Sequence, residues 1–314
     1  MKIGLDMMGG DLAPLEAVKG LQLYLTETPS PASVFLIGDE NQINALLLEH
    51  KIAPEHVTVV HAPEVIGMHE HPTKALKEKP HSSISVGFHL LVKGKIDAFI
   101  SAGNTGAMMV GALFSIKAIK GVQRPTIATI VPKENGKTGL LLDVGLNADC
   151  KPENLNQFAI LGSLYAKYIL GIDNPRVGLM NVGEEEGKGN LLTQAAYQVL
   201  KENDQINFIG NTEGRDFFFD KADVMVCDGF TGNIILKLSE SLYEITQSKK
   251  IYHEYFDLFN FEIYGGTPVL GVNKPVIIGH GISHDRAFKN MITLAQKIIF
   301  TGLLEKMKAS FTIE

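Results

Sequence analysis

The chain has 314 residues, 45% of them hydrophobic, with 29 Lys and Arg against 35 Asp and Glu and a formal net charge of -6 at pH 7. That length supplies one large core or two smaller ones, and the apolar fraction excludes a disordered chain. The acidic balance offers no broad basic field, so nucleic acid is not an expected partner. No stretch approaches the roughly 18 uninterrupted apolar residues of a membrane span, and Asp6 interrupts the start before a signal-peptide core forms, so a cytoplasmic location is expected. Two cysteines, Cys150 and Cys227, lack CxxC spacing and read as buried thiols of a reducing compartment.

In chain order, Lys2 to Asp6 reads as a strand and Pro14 to Thr26 as a helix, with Pro14 in its first turn and Leu15, Val18 and Leu25 facing inward. A strand at 33–37, a helix at 41–50 and a strand at 57–61 follow. A helix over 82–92 stops before Gly94. Next come a strand at 97–100 and a helix over 105–119. Runs at 126–131 and 139–143 flank the turn at 133–137 as a hairpin, and helical periodicity resumes over 152–170. The second half places strands at 177–180, 207–209, 224–227 and 276–278, with helices at 191–201, 231–246 and 283–304. This alternation predicts an α/β fold: a largely parallel open sheet with helices on both faces. A single domain over 1–314 is expected, any internal boundary being soft. The aromatic-rich segment 248–264 breaks the rhythm, reading either as an excursion at a dimer or membrane surface or as a packed connection.

Short polar clusters follow most of the buried runs: DMMGGD from Asp6, SAGNTGA from Ser101, DVGLN from Asp143, NVGEEEGKG from Asn181, DGFTGN from Asp228 and HGIS from His280. Strand ends that feed such loops into helices are where an open α/β sheet builds its ligand crevice. Gly9 and Gly10 let backbone amides approach an anion beside the positive end of a helix. A tight turn with Asp11 as a helix cap is the plainer reading of that loop. Ser101, Asn104 and Thr105 add side-chain donors at a helix start, the composition of an anion nest. Lys188 sits between two glycines, free to reach an anion or to pair with Glu184, Glu185 or Glu186. Asp228 ends a strand, and Asn233 offers an amide donor to a carbonyl oxygen that gains charge. His280 and Ser283 open the last helix, Ser283 doubling as an N-cap. GxSxG, GxxxxGK[ST], HExxH and a first-strand GxGxxG are all absent, and His69 and His71 are too isolated for a metal site. Neither a metal nor another cofactor is expected.

These motifs carry a resemblance. LDMMGGDLAP from Leu5, SAGNTGA, the Arg124–Pro125 pair, LDVGLN, VGEEEGKG, FIGNTEGRD from Phe208, ADVMVCDGFTGN from Ala222, YGGTPVLGVN from Tyr264 and GHGISHDRA from Gly279 occur in one order nearly end to end. The chain resembles the bacterial phosphate acyltransferase family of phospholipid synthesis. The resemblance implies transfer of a long-chain fatty acyl group from acyl carrier protein to inorganic phosphate. The acyl phosphate formed would feed a glycerol-3-phosphate acyltransferase. It also implies a homodimer with a fold similar to isocitrate and isopropylmalate dehydrogenases and to phosphotransacetylase.

Residues and resemblance together suggest one mechanism. Asp6, Gly9, Gly10, Asp11, Ser101, Asn104, Thr105, Asp228 and Ser283 surround phosphate and thioester; Lys188 neutralises charge, Asn233 stabilises the oxyanion, and His280 helps protonate the leaving thiolate. Lys117, Lys120 and Arg124 form a basic group suited to an acidic carrier. The chain departs from the family at DMMGGDL, at Leu146 and in a shortened stretch between Asn233 and Tyr264. The last change puts a peripheral membrane contact in doubt and leaves Tyr252, Tyr255, Phe256, Phe259 and Phe261 as a small apolar tip. The rival readings are a coenzyme A-dependent phosphate acetyl- or butyryltransferase and a non-catalytic acyl-chain binding protein.

Overall fold

Buried runs and capped amphipathic runs alternate as strands and helices along residues 1–312, the part of the chain that this computed structural model describes. The first half contains β1 (Lys2–Asp6), α1 (Leu15–Glu27), β2 (Ser33–Gly38), α2 (Glu40–Glu49), β3 (Val57–His61), α3 (Pro72–Glu78), α4 (Ser83–Val92), β4 (Ala98–Ser101), α5 (Thr105–Gly111), β5 (Thr126–Pro132) and β6 (Thr138–Leu142). The second half contains α6 (Pro152–Tyr165), β7 (Arg176–Met180), α7 (Leu191–Lys201), β8 (Asn207–Thr212), β9 (Val224–Val226), α8 (Gly229–Ser248), α9 (Glu254–Asp257), β10 (Thr267–Leu270), β11 (Val276–Ile278), α10 (Asp285–Phe300) and α11 (Leu303–Phe311).

The chain divides into two compact units, the first comprising residues 1–117 and 261–304, the second 118–260 and 305–312. In the first unit the strands lie in the order β3-β2-β1-β4-β11-β10, parallel except for β10, which runs antiparallel to β11. Strand β1 sends its chain to β2 on one side and meets β4 on the other. The order therefore reverses between β1 and β4, the kind of switch point outside whose carboxyl ends open α/β sheets bind ligands. In the second unit the order is β5-β6-β9-β7-β8, with β5 antiparallel and the rest parallel. Here the reversal falls between β7 and β9.

Local chemistry explains most boundaries. Asp39 caps α2 by accepting from the Gln42 amide at 2.9 Å, and Ser82 caps α4 by accepting from the Ser85 amide, contacts worth about 1 kcal/mol each. Gly20 lets α1 cross α10 closely: a Cβ there would stand 2.4 Å from Phe288 Cβ and 2.6 Å from the Asp285 carbonyl. The inward face of α1 is Ala17, Val18, Leu21 and Tyr24, whereas Leu15 is exposed, because the helix starts only at that residue.

Elsewhere tertiary context overrides the periodicity. The helices expected over 105–119 and 152–170 are α5 and α6 followed by π-helical turns at Ala112–Ile116 and Ala166–Leu170. The run expected as one helix over 283–304 is α10 and α11, broken at Gly302 with φ 64°. Strand β10 carries Pro268 and gives little strand signal in sequence. Of the two cysteines Cys227 is buried, but Cys150 is only half-buried. The aromatic tip is also revised: Tyr255, Phe256 and Phe259 pack on one another and on Phe218, while Phe261 stacks on His280 in the first unit. Tyr252 remains exposed. No helix among the described residues is long and apolar enough to cross a membrane.

Candidate active site

In the first unit Asp6 ends β1 fully buried, and its carboxylate organises the loops around it. Oδ2 accepts from the Ser101 hydroxyl at 2.6 Å and Oδ1 from the Met8 amide at 3.0 Å; the Ser83 hydroxyl and the Gly9 amide also contribute. Burial pushes the carboxyl above its ordinary range against these donors. Ser101 also accepts from the Gly103 amide at 2.9 Å, so its hydroxyl joins β1, β4 and the glycine loop. Only glycine fits at position 9, where a Cβ would stand 2.5 Å from Asp6 Oδ2 and 2.6 Å from the Gly103 nitrogen. Gly10 holds φ 106°, and the Asp11 amide donates to the Gly281 carbonyl at 2.7 Å. Asp11 is thus no helix cap; Pro14 occupies that position.

Asn104 caps α5 by accepting from the Ala107 amide at 2.9 Å, while its Nδ2 donates to the carbonyls of Gly67, Met68 and Glu70. Its donors are therefore spent on the 67–70 loop, and exposed Thr105 is the residue of this cluster open to solvent. His280 ends the β11 loop with its ring 4.3 Å from Phe261. Ser283 is buried and donates to the His280 carbonyl at 2.6 Å. The N-cap position of α10 belongs to His284 instead.

The second unit repeats the device at Asp143, which ends β6 fully buried. Its Oδ1 accepts from the amides of Ile127 and Leu146, and its Oδ2 from the backbone and side-chain nitrogens of Asn147 at 2.7 and 2.8 Å. Burial raises this carboxyl too. The Asn147 carbonyl accepts from the Gly229 amide at the start of α8 at 2.7 Å. Gly232 sits so close that a Cβ would lie 1.9 Å from the Asp143 carbonyl oxygen. Asp228 caps α8, accepting from the Thr231 amide and hydroxyl, each at 2.9 Å. One turn on, exposed Asn233 donates to the Val144 carbonyl at 3.2 Å. A carboxamide has two N–H groups, so its second donor remains open beside Gly145, at φ 127°.

Lys188 is exposed on the loop after β7, its stem lying over Gly183. The neighbouring glutamates do not neutralise it: Glu184 pairs with Lys221 at 2.6 Å and Glu186 with Lys201 at 3.0 Å. The loop is stapled by Asn181 Nδ2 on the Lys188 carbonyl and by Asn211 Nδ2 on the Glu185 carbonyl. Asn181, Asn211, Asp143 and Asn147 all lie in the sequence motifs, yet sequence inspection does not single them out as anchors. Their signal is a short Asp or Asn side chain at a strand end.

Asp6, Gly9, Gly10, Asp11, Ser101, Asn104, Thr105, His280 and Ser283 thus belong to the first unit, and Lys188, Asp228 and Asn233 to the second. In each, a buried aspartate at the carboxyl end of a strand holds a glycine loop by accepting from that loop's own amides. No group of three or more His, Cys, Asp or Glu residues fit to hold a metal occurs among the described residues.

The chain is similar to known proteins in sequence and in fold. A family model described as "Fatty acid synthesis protein" matches residues 1–257. The phosphate acyltransferase of Halothermothrix orenii is 44% identical over 98% of this chain and 98% of its own, and that of Pelotomaculum thermopropionicum is 45% identical over 99% and 95%. Among solved structures, a phosphotransacetylase from Streptococcus pyogenes shares the fold with a TM-score of 0.65 and 21% identity, over 95% of this chain and 94% of that one. A branched-chain phosphotransacylase from Enterococcus faecalis gives 0.62 at 16% identity, over 95% and 98%. The 44–45% identity to the curated relatives over nearly the whole length places the chain in the phosphate acyltransferase family.

Proposed function

We propose that the protein transfers a long-chain fatty acyl group from the thioester of acyl carrier protein to inorganic phosphate, giving acyl phosphate and free carrier. The observation carrying this reading is the pair of aspartate-anchored glycine loops at the carboxyl ends of β1 and β6, in a chain of the phosphate acyltransferase family. Gly10 and the first turn of α5 are assigned to phosphate binding, with Thr105 as the open hydroxyl and Gly9, its amide on Asp6, letting the loop pack close enough to form the cradle. Asp6, Ser101 and Asn104 hold that cradle, their own polar atoms being engaged with the protein. Asp11 and Ser283 lock the 280–283 loop against it.

Lys188 is assigned to neutralise phosphate charge, its ammonium being free of its neighbours. One phosphate oxygen attacks the thioester carbonyl, and the carbon–sulfur bond breaks as the tetrahedral intermediate collapses. The open N–H of Asn233 stabilises the oxyanion, with Asp228 fixing the helix start that carries it. His280 is assigned to protonate the departing thiolate. Phosphate is already anionic at neutral pH, so positioning and charge neutralisation carry more of the rate than proton removal. The product suits a following glycerol-3-phosphate acyltransferase reaction.

A second copy of this chain is the proposed partner of α8. Phe230, Ile234, Leu238, Leu242 and Ile245 form one stripe along this 20-residue helix and are 63, 52, 62, 43 and 53% exposed. A stripe from Phe230 to Ile245, about 22 Å long, is too apolar to leave in water and matches itself in an isologous homodimer.

The test supplies purified protein with phosphate and either palmitoyl-acyl carrier protein or acetyl-coenzyme A, following thiol release and acyl phosphate together. Stoichiometric acyl phosphate from the carrier thioester is expected. Preference for acetyl-coenzyme A would establish the short-chain reading instead, and binding without thioester loss would leave a non-catalytic acyl-chain binder.

A further inference from the structure

Beside the phosphate loops, the first unit carries a groove of about 870 Å³ that none of the proposed chemistry uses. Its volume falls within the roughly 300–1,000 Å³ of small-molecule sites. Helix α4 forms one wall, the end of α5 with the π-helical turn after it forms the other, and α3 closes one end. Both α4 and α5 begin on the phosphate side: Ser83 bonds Asp6, and Thr105 opens α5 directly after the glycine loop. Pro72 of α3 abuts Gly106 so closely that a Cβ there would stand 2.3 Å from Pro72 Cγ.

The groove changes character along its length. At the phosphate side stand Lys77 and His81, both exposed. Lys77 has no carboxylate partner among the described residues, whereas Lys74 pairs with Glu78 and Lys79 with Glu70. Farther along, the walls are Val86, Phe88, Val92 and Phe114, with Val92 53% and Phe114 73% exposed and with exposed His89 and Ser115 also lining this part. The floor forms where Gly111 lets the Phe88 ring approach, a Cβ at 111 standing 2.0 Å from it. On this side the groove is lined from Val110 to Ser115, the end of α5 and the π-helical turn that follows it.

We propose that this groove holds an unbranched aliphatic chain whose anionic head faces Lys77 and His81. The largely apolar walls beyond Lys77 and His81 match such an amphiphile, and α5 runs from the phosphate-binding end at Thr105 to the groove wall at Val110 and Gly111. The inference rests on the proposed reaction only in identifying the chain as the transferred acyl group; the groove's chemistry fits a free fatty acid equally.

The probes are butyl-, octyl- and dodecylphosphonate, unreactive and below their micelle concentrations, titrated calorimetrically into the full-length protein. Affinity is expected to rise by about fourfold per methylene until the groove is full. Ser115→Trp, on the exposed lip, should weaken dodecylphosphonate by tenfold or more and leave butylphosphonate unchanged. Phe114→Asp should flatten the chain-length dependence, and Lys77→Ala should weaken all three probes alike.

Unaltered chain-length dependence in both Ser115→Trp and Phe114→Asp, with unchanged thermal unfolding, would overturn the proposal. Inhibition by dodecylphosphonate competitive with the acyl thioester identifies the groove with the substrate chain; non-competitive inhibition identifies a separate fatty-acid site. Acyl phosphate formation with groove variants behaving as wild type refutes the groove alone. Groove-dependent dodecyl binding without acyl phosphate from any thioester refutes the reaction alone.

Discussion

Asn233→Ala separates chemistry from architecture most sharply. The side chain is exposed, its single bond to the fold is the 3.2 Å contact to the Val144 carbonyl, and its second N–H points at no protein acceptor among the described residues. Losing the structural bond should cost about 1 kcal/mol, a fall of about 2–4 °C in melting temperature for a chain of this size. Losing an oxyanion donor should cost about 3 kcal/mol at the transition state, roughly a hundredfold to a thousandfold in kcat. The two effects thus differ enough to read apart. Trapping acyl phosphate with hydroxylamine gives initial rates, and calorimetry gives the melting temperature. Asn233→Asp, which keeps the shape but removes both donors and adds negative charge, should be slower than alanine. A kcat within threefold of wild type for Asn233→Ala would refute the oxyanion role.

Lys188→Ala should raise the KM for phosphate and lower kcat by at least a hundredfold, with Lys188→Arg recovering part of the loss; equal activity of all three proteins would remove the lysine from the mechanism. Gly232→Ala should abolish soluble folded protein or lower its melting temperature by more than 10 °C, since the nearest atom is the rigid Asp143 carbonyl. Lys133 is 1% exposed, and burial lowers its ammonium to about 8. The unfolded chain therefore binds more protons between pH 8 and about 10.4, and this group makes stability rise with pH across that window. Lys133→Met should flatten that rise in urea titrations at pH 7.5, 9 and 10; an unchanged slope would show that other groups set it. Leu238→Asp should convert a dimer into a monomer by light scattering, and a monomeric wild type would dismiss the α8 interface.

The fold class was legible because its signals are local. Alternation of 4–6-residue buried runs with amphipathic runs, and caps such as Asp39 and Ser82, act within a few residues and mark β1 to β4, α7 and β11 within a residue or two. The polar clusters were legible too, since glycines beside Asp, Asn, Ser and Thr at strand ends have few purposes apart from turns and ligand loops.

What sequence could not supply depends on contacts between distant segments. Ser101 and Asn104 look like free donors in a string of letters, but Asp6 and the 67–70 carbonyls, 95 and up to 37 residues away, engage them. Lys188 looks like one side of an ion pair with its glutamate neighbours, until Lys221 and Lys201 claim two of them. Hydrogen bonding saturates, so a polar group's availability follows from which partners the fold brings first. Composition and periodicity determined the alternating α/β architecture; tertiary packing alone decided which donors stay open, because that depends on distances between residues far apart in the chain.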